Sequence, residues 1–165
     1  GEASNPGPLR IASNNCTSLR TQWPAVLLKN DVVCLTELRL TSLGQRLFDR
    51  RLAALGFEAA WGAPKERKRA GGRVPPGGVA VFARKELKIH VVPLQQEQQR
   101  VWFARGRLIH AAVTAGDEIL HIVTPNGLPN SSTNRQQAMQ NEELLKAAMA
   151  ALAGVGNRPG SLQVI

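Results

Sequence analysis

The segment Asp31–Leu40, DVVCLTELRL, sets four apolar residues in a row, Val32–Leu35, and follows them with Thr36 and an acid, Glu37. A strand that is apolar on both sides must be covered on both faces, so it belongs inside a sheet with further layers around it. The residues before it supply a partner. Leu9–Ala12, within LRIAS, alternates apolar and polar positions and reads as a first strand. Thr21 is a candidate cap for a short helix, with Pro24 in the first turn, Ala25–Leu28 as its body and Asn30 as its stop. A strand, a helix and a second strand predict parallel neighbours whose carboxyl ends lie side by side. Asn15 follows the first strand and Glu37 the second. Ligands of α/β sheets bind beyond such strand ends, and an amide oxygen with a carboxylate suits a hard cation such as Mg²⁺. Spacing alone leaves a second reading open, in which Glu37 is a surface carboxylate paired with Arg39 and Asn15 a turn residue.

Charge points the same way as that acid's setting. The chain of 165 residues carries 21 Lys and Arg against 12 Asp and Glu, a formal net charge of +9, which favours polyanions as partners. Its length fits one domain, and its 43% hydrophobic content is that of a globular core. No apolar run is long enough to span a membrane, and GEASNPGPLR lacks the basic and apolar regions of a signal peptide. Cys16 and Cys34 lie in strand-like runs and read as small core residues rather than as a disulfide or metal half-site.

Further along, Thr41 or Ser42 caps a second helix, Ser42 with Gln45 resembles a capping box, Leu43, Leu47, Phe48, Leu52 and Leu55 form one apolar stripe, and Gly56 ends that helix. GFEAAWG, GGVAVFAR, KIHVVPL, VWFARG, LIHAAVTAG and EILHIVTPNG read as strands, with Gly106, Gly116 and Asp117 at bends. Thr133 and Gln136 open the last helix, with Leu145, Ala148, Met149 and Leu152 on one face and Gly154 as its stop. A strand at Leu162–Ile165 follows, and a core strand at that position predicts that the chain is cut from a longer one. Between the second helix and the glycine-led strand lies KERKRAGGRVPPGG. Its Lys65, Arg67, Lys68, Arg69 and Arg73 are opposed only by Glu66, which predicts a loop that tracks phosphates or a solvated surface loop.

LRIASNNCTSL, a helix, then DVVCLTELRL resembles the opening of the endonuclease/exonuclease/phosphatase family. GGVAVFAR is similar to its glycine-led strand, HIVTPNGLPN to its strand ending in Pro-Asn, and NRQQAMQNEELLKAAMAAL to the helix after it. The likeness is nearest to apurinic/apyrimidinic endonucleases and the endonuclease domains of non-LTR retrotransposons. It implies an α/β fold, an incomplete four-layer αββα sandwich with two mixed β-sheets, over residues 9–165. It implies catalytic roles for Asn15 and Asn126, a metal site at Glu37 and Asn15 for Mg²⁺ or Mn²⁺, and DNA contacts from Arg39. DNA would then be the partner, in the nucleus, with a reverse transcriptase possible in the parent chain. Thr36 stands where members commonly have Gln, Thr17 where some have Asp, and Val123 where many have Tyr. The Gly-Asp-x-Asn and Asp-His motifs of the family have no counterpart here, and His90, His110 and His121 read as strand residues. These 165 residues alone are therefore expected to be inactive. Other branches of the family imply lipid or nucleotide phosphoesters, and a degenerate copy would bind nucleic acid without cutting it. Residues 1–8, ending Asn5–Pro8, resemble the tail of a ribosome-skipping peptide.

Overall fold

The computed structural model describes residues 8–16, 23–129, 132–156 and, as backbone, 161–164. The expectations at Asn5–Gly7, Thr17 and Thr21 lie outside the described residues. The chain runs β1 (Ile11–Asn15), α1 (Trp23–Lys29), β2 (Val32–Thr36), α2 (Ser42–Ala54), β3 (Phe57–Trp61) and β4 (Val79–Arg84). It continues through β5 (His90–Val91), α3 (Glu97–Ala104), β6 (Leu108–Ala115), β7 (Glu118–Pro125), α4 (Arg135–Ala153) and β8 (Ser161–Val164). One sheet has the order β1-β2-β4-β3 and the other β5-β6-β7-β8. Both are mixed: β1 and β2 are parallel, as are β7 and β8, and the remaining pairs are antiparallel.

Three apolar cores separate four layers. Val32, Cys34, Val79, Val81 and Ala83 of the first sheet meet Ile109, Ala111, Val113, Leu120 and Ile122 of the second. On the outer face of the first sheet, Val33, Leu35, Ala80 and Phe82 pack against Leu27 of α1 and Phe48 and Leu52 of α2. On the outer face of the second, Leu108 and Val123 pack against Trp102 of α3 and Leu144, Ala147, Ala148, Ala151 and Leu152 of α4. β2 is buried from Val32 to Leu35 because alternate residues fill two different cores. Cys34 and Cys16 are both free and face opposite sides of the sheet, as core residues.

Several expected elements take another form. VWFARG is not a strand, since Val101–Ala104 close α3. The Gln99 side chain accepts the Gln96 N–H at 3.1 Å to start that helix, and Gln99 and Trp102, one turn apart, are its buried face. KIHVVPL pairs only at His90–Val91. Of the two caps expected for α2, Thr41 serves, its hydroxyl accepting from the Gly44 N–H, while the Ser42 N–H and hydroxyl both donate to Glu66. Only Phe48 and Leu52 of the expected stripe are buried; Leu43 and Leu47 are exposed. In α4 the cap is Asn134 rather than Thr133, and Leu145 and Met149 face outward while Leu144, Ala147 and Ala151 join Ala148 and Leu152 inside. Among the described residues, no helix is long and apolar enough to cross a membrane.

Beneath α4, His110 and His121 lie on the outer face of the second sheet, their Nε2 and Nδ1 3.0 Å apart, and line a cavity of about 260 Å³ with Gln99 and Ala151. His110 is 3% exposed. Burial, then repulsion from His121 and His90, pushes its imidazole down from 6.5 to about 4. Between these values the unfolded chain holds a proton that the folded protein does not, so stability falls as pH drops through that window, by roughly 3 kcal/mol in full. The urea midpoint should decline between pH 6.5 and about 5, above the range of ordinary carboxylates, and His110→Gln should flatten the decline. An equal decline in the variant would assign it elsewhere.

Candidate strand-end site

Five segments bring polar groups to one end of the two sheets. Register sets the first two. Asn15 pairs with Thr36 across β1 and β2, and the Cys16 N–H donates to the Thr36 carbonyl at 2.9 Å, so Asn15 ends exposed beside the residue that precedes Glu37. Beyond β2 the chain turns sharply. Glu37 and Arg39 both have left-handed backbones, with φ of 60° and 50°. Such conformations are uncommon for residues with a side chain and recur where a site holds them in place. Here the Arg39 N–H donates to the Gly77 carbonyl at 2.9 Å, and the Leu38 N–H to that of Gly78 at 3.3 Å.

Gly77 and Gly78 lead into β4 for a physical reason. Their φ values are 111° and 97°. A Cβ on Gly77 would lie 3.3 Å from the Arg107 guanidinium, and one on Gly78 would lie 3.1 Å from the Arg39 nitrogen. The missing side chains let the Glu37 turn and Arg107 close on each other.

Glu37 is the centre of the cluster. Its Oε1 accepts from Arg107 Nη1 at 3.1 Å and from Asn126 Nδ2 at 3.0 Å. Its Oε2 accepts the Gly77 N–H at 3.0 Å and has Arg39 Nε 3.6 Å away. Burial pushes the Glu37 acid up, but the Asn126 amide, the Gly77 N–H and the cations of Arg107 and Arg39 outweigh it. The carboxyl is held below its ordinary value. Arg107 also donates to the Gly127 carbonyl at 2.8 Å, and the Asn126 N–H returns to the Arg107 carbonyl at 2.8 Å. Asn141 of α4 accepts the Leu128 N–H at 2.6 Å and donates to its carbonyl at 3.3 Å, pinning the turn that carries Asn126. Glu37 and Asn126, both assigned by the family resemblance, are thus in direct contact; Glu37 also pairs with Arg39, but with its side chain 15% exposed it is not the surface carboxylate of the alternative reading.

The basic segment divides. Lys65 is half-buried and donates to the Arg105 carbonyl at 2.7 Å, and burial and Arg107 lower its affinity for its proton. Arg67, Lys68, Arg69 and Arg73 are exposed. Glu66 anchors the loop at the start of α2, where an anion suits the free N–H groups. Arg107 and Asn141 escaped sequence reasoning. A buried arginine ahead of an apolar strand has no periodicity to betray it, and only its place after Gly106 marks it.

Among the described residues, no three His, Cys, Asp or Glu gather as a metal group. Both acceptor sites of Oε1 are taken and Oε2 has accepted one hydrogen bond, leaving one carboxylate position. One such oxygen and a nearby amide suit Mg²⁺ or Mn²⁺, which keep several waters and add substrate phosphate.

Layer order and sheet topology define a class of fold, the four-layer α/β sandwich of solved exonuclease and AP endonuclease structures. A 3'-5' exonuclease (NExo) from Neisseria meningitidis is similar with a TM-score of 0.60 and 17% identity, over 94% of this chain and 57% of that one. An AP endonuclease from Archaeoglobus fulgidus gives 0.58 and 18%, over 91% and 53%. A humanized D. rerio TDP2 gives 0.59 and 17%, over 94% and 63%. The chain thus spans between 53% and 63% of the length of these structures. No protein-family model matches the sequence, and no curated protein matches it.

Proposed function

We propose that this chain is part of a divalent-metal-dependent phosphodiesterase that nicks DNA, of the kind carried by retroelements. The single observation that carries the reading is the convergence of Glu37, Asn126 and Arg107 on one another, beside the strand end of Asn15. Glu37 and Asn15 would hold Mg²⁺ or Mn²⁺, whose charge would offset that developing on the phosphate in the transition state. Asn126 would donate to a phosphate oxygen from the position that Arg107 and Asn141 fix. Exposed Arg67, Lys68, Arg69 and Arg73 would follow the DNA backbone, with Arg39 next to the reacting phosphate. Similarity in fold to an exonuclease and AP endonucleases supports the reaction class, and the net charge of +9 supports nucleic acid over lipid or nucleotide substrates.

Two observations favour a second reading. Glu37 is ringed by Arg39, Arg107 and Lys65, and Val123 carries no hydroxyl, as a module that binds phosphates without cutting would also show. Supercoiled plasmid with Mg²⁺ separates the two. The parent protein should relax it, and Glu37→Gln should lower that rate at least about a hundredfold while DNA binding persists. Nicking by Glu37→Gln at the unaltered rate would overturn the metal role, and binding without nicking by the parent protein would establish the second reading.

A further inference from the structure

We infer that Arg39 occupies the cation's place on Glu37 until a phosphodiester draws it away, so that metal and DNA bind cooperatively. The inference rests on the reading of Glu37 as a metal ligand. Three of the four acceptor positions of this carboxylate are filled by groups that the fold holds in place. Asn126 is 6% exposed, the Arg107 side chain is 6% exposed, and Gly77 donates from its backbone. The fourth position, on Oε2, is faced by Arg39. Its Nε is 3.6 Å away, too far for a hydrogen bond, and its side chain is 43% exposed.

A divalent cation and a guanidinium cannot share one carboxylate position, since each repels the other. Of the groups around Glu37, Arg39 is the one whose release disturbs least. Its backbone is fixed by the Gly77 carbonyl and by close contact with Gly78, so only the side chain has to move. The ion pair that it leaves is exposed, imperfect and correspondingly weak. A phosphate offers the guanidinium two oxygens in a geometry that it matches better than the single long contact to Glu37. Arrival of the phosphodiester therefore frees the carboxylate position, and by reciprocity the cation raises affinity for DNA by the same factor.

Mn²⁺ binding to the chain, followed by electron paramagnetic resonance of the free ion, tests this without reference to cleavage. Arg39→Gly removes the guanidinium at a position whose φ of 50° suits glycine. It should bind Mn²⁺ about two- to five-fold more tightly than the unaltered chain, and Arg39→Lys, which keeps the charge, should not. Anisotropy of a labelled DNA duplex at constant ionic strength gives the other half. Mn²⁺ should tighten binding to the unaltered chain by more than to Arg39→Gly. Should Arg39→Gly lose its native circular dichroism, Arg39→Gln makes the same comparison. Equal Mn²⁺ affinity with and without the guanidinium, together with loss of binding in Glu37→Gln, would overturn the role of Arg39 alone. Mn²⁺ affinity that is unchanged in Glu37→Gln would overturn the metal reading of the site as well.

Discussion

Arg107→Met should unfold at a much lower urea concentration than the unaltered chain, with a loss of about 3 kcal/mol, the low end of the range for breaking a buried ion pair. Arg107 sits at the start of β6 with its side chain 6% exposed, and Nη1 has two hydrogens. Its two short contacts, to Gly127 at 2.8 Å and Glu37 at 3.1 Å, join the turn after β7 to the turn after β2. Methionine fills similar space but leaves the Gly127 carbonyl and one lone pair of Glu37 without a donor. The loss stays at the low end because Asn126, Gly77 and Arg39 still serve the carboxylate. Glu37→Gln should itself destabilise, by leaving the buried guanidinium without its counter-charge. The double variant should then cost clearly less than the two single losses added together. Strict additivity would mean that the pair is not coupled and that the strand-end cluster is not one unit.

Gly78→Ala should cost about 2 to 3 kcal/mol, although it adds a single methyl group. With φ at 97° the alanine backbone is strained, and its Cβ would lie 3.1 Å from the Arg39 nitrogen and 3.4 Å from the Leu38 Cβ. The turn that presents Glu37 must give way, so stability and any property of the Glu37 site should fall together. Gly71→Ala is the comparison. Its φ of 71° also penalises alanine, but nothing lies within 4 Å of its Cβ, so it should cost only about 1 kcal/mol and leave the site intact. Equal losses for the two variants, by urea denaturation, would remove close approach as the reason for the glycine pair.

How far the sequence disclosed this structure depended on which physical signal each segment carries. Val32–Leu35 disclosed a central strand because a run that short, apolar at every position, has to be covered on both faces, and β2 lies between β1 and β4 with residues in two cores. The strand–helix–strand opening placed Asn15 and Glu37 at neighbouring ends because parallel pairing leaves little choice of register. Helix faces were less legible. Leu47 stands about 100° round the helix from Phe48, so both fit a broad stripe, yet only Phe48 reaches the sheet. In α4, alanines form much of the buried stripe, since small residues let the helix lie close to β6 and β7, and composition does not mark an alanine as core. α3 was hidden because Val101–Phe103 is apolar over too short a run to show a period, and its signal lay in the Gln96–Gln99 box before it. At the site, Glu37 was legible from its place after a strand, and Asn126 only through the resemblance of HIVTPNGLPN to a strand ending in Pro-Asn. Arg107 was not, because a buried cation is defined by partners 70 and 20 residues away in sequence.

Crystals of the chain bound to a short DNA duplex, soaked in Mn²⁺ and measured at an anomalous wavelength, put the central claim to its most direct test. One anomalous peak is expected at the strand ends, about 2.0–2.3 Å from Glu37 Oε2 and within reach of Asn15 directly or through one water, with the Arg39 side chain displaced. Full occupancy elsewhere, with Glu37 still bound to Arg39 and no peak beside it, would contradict a metal role for this carboxylate.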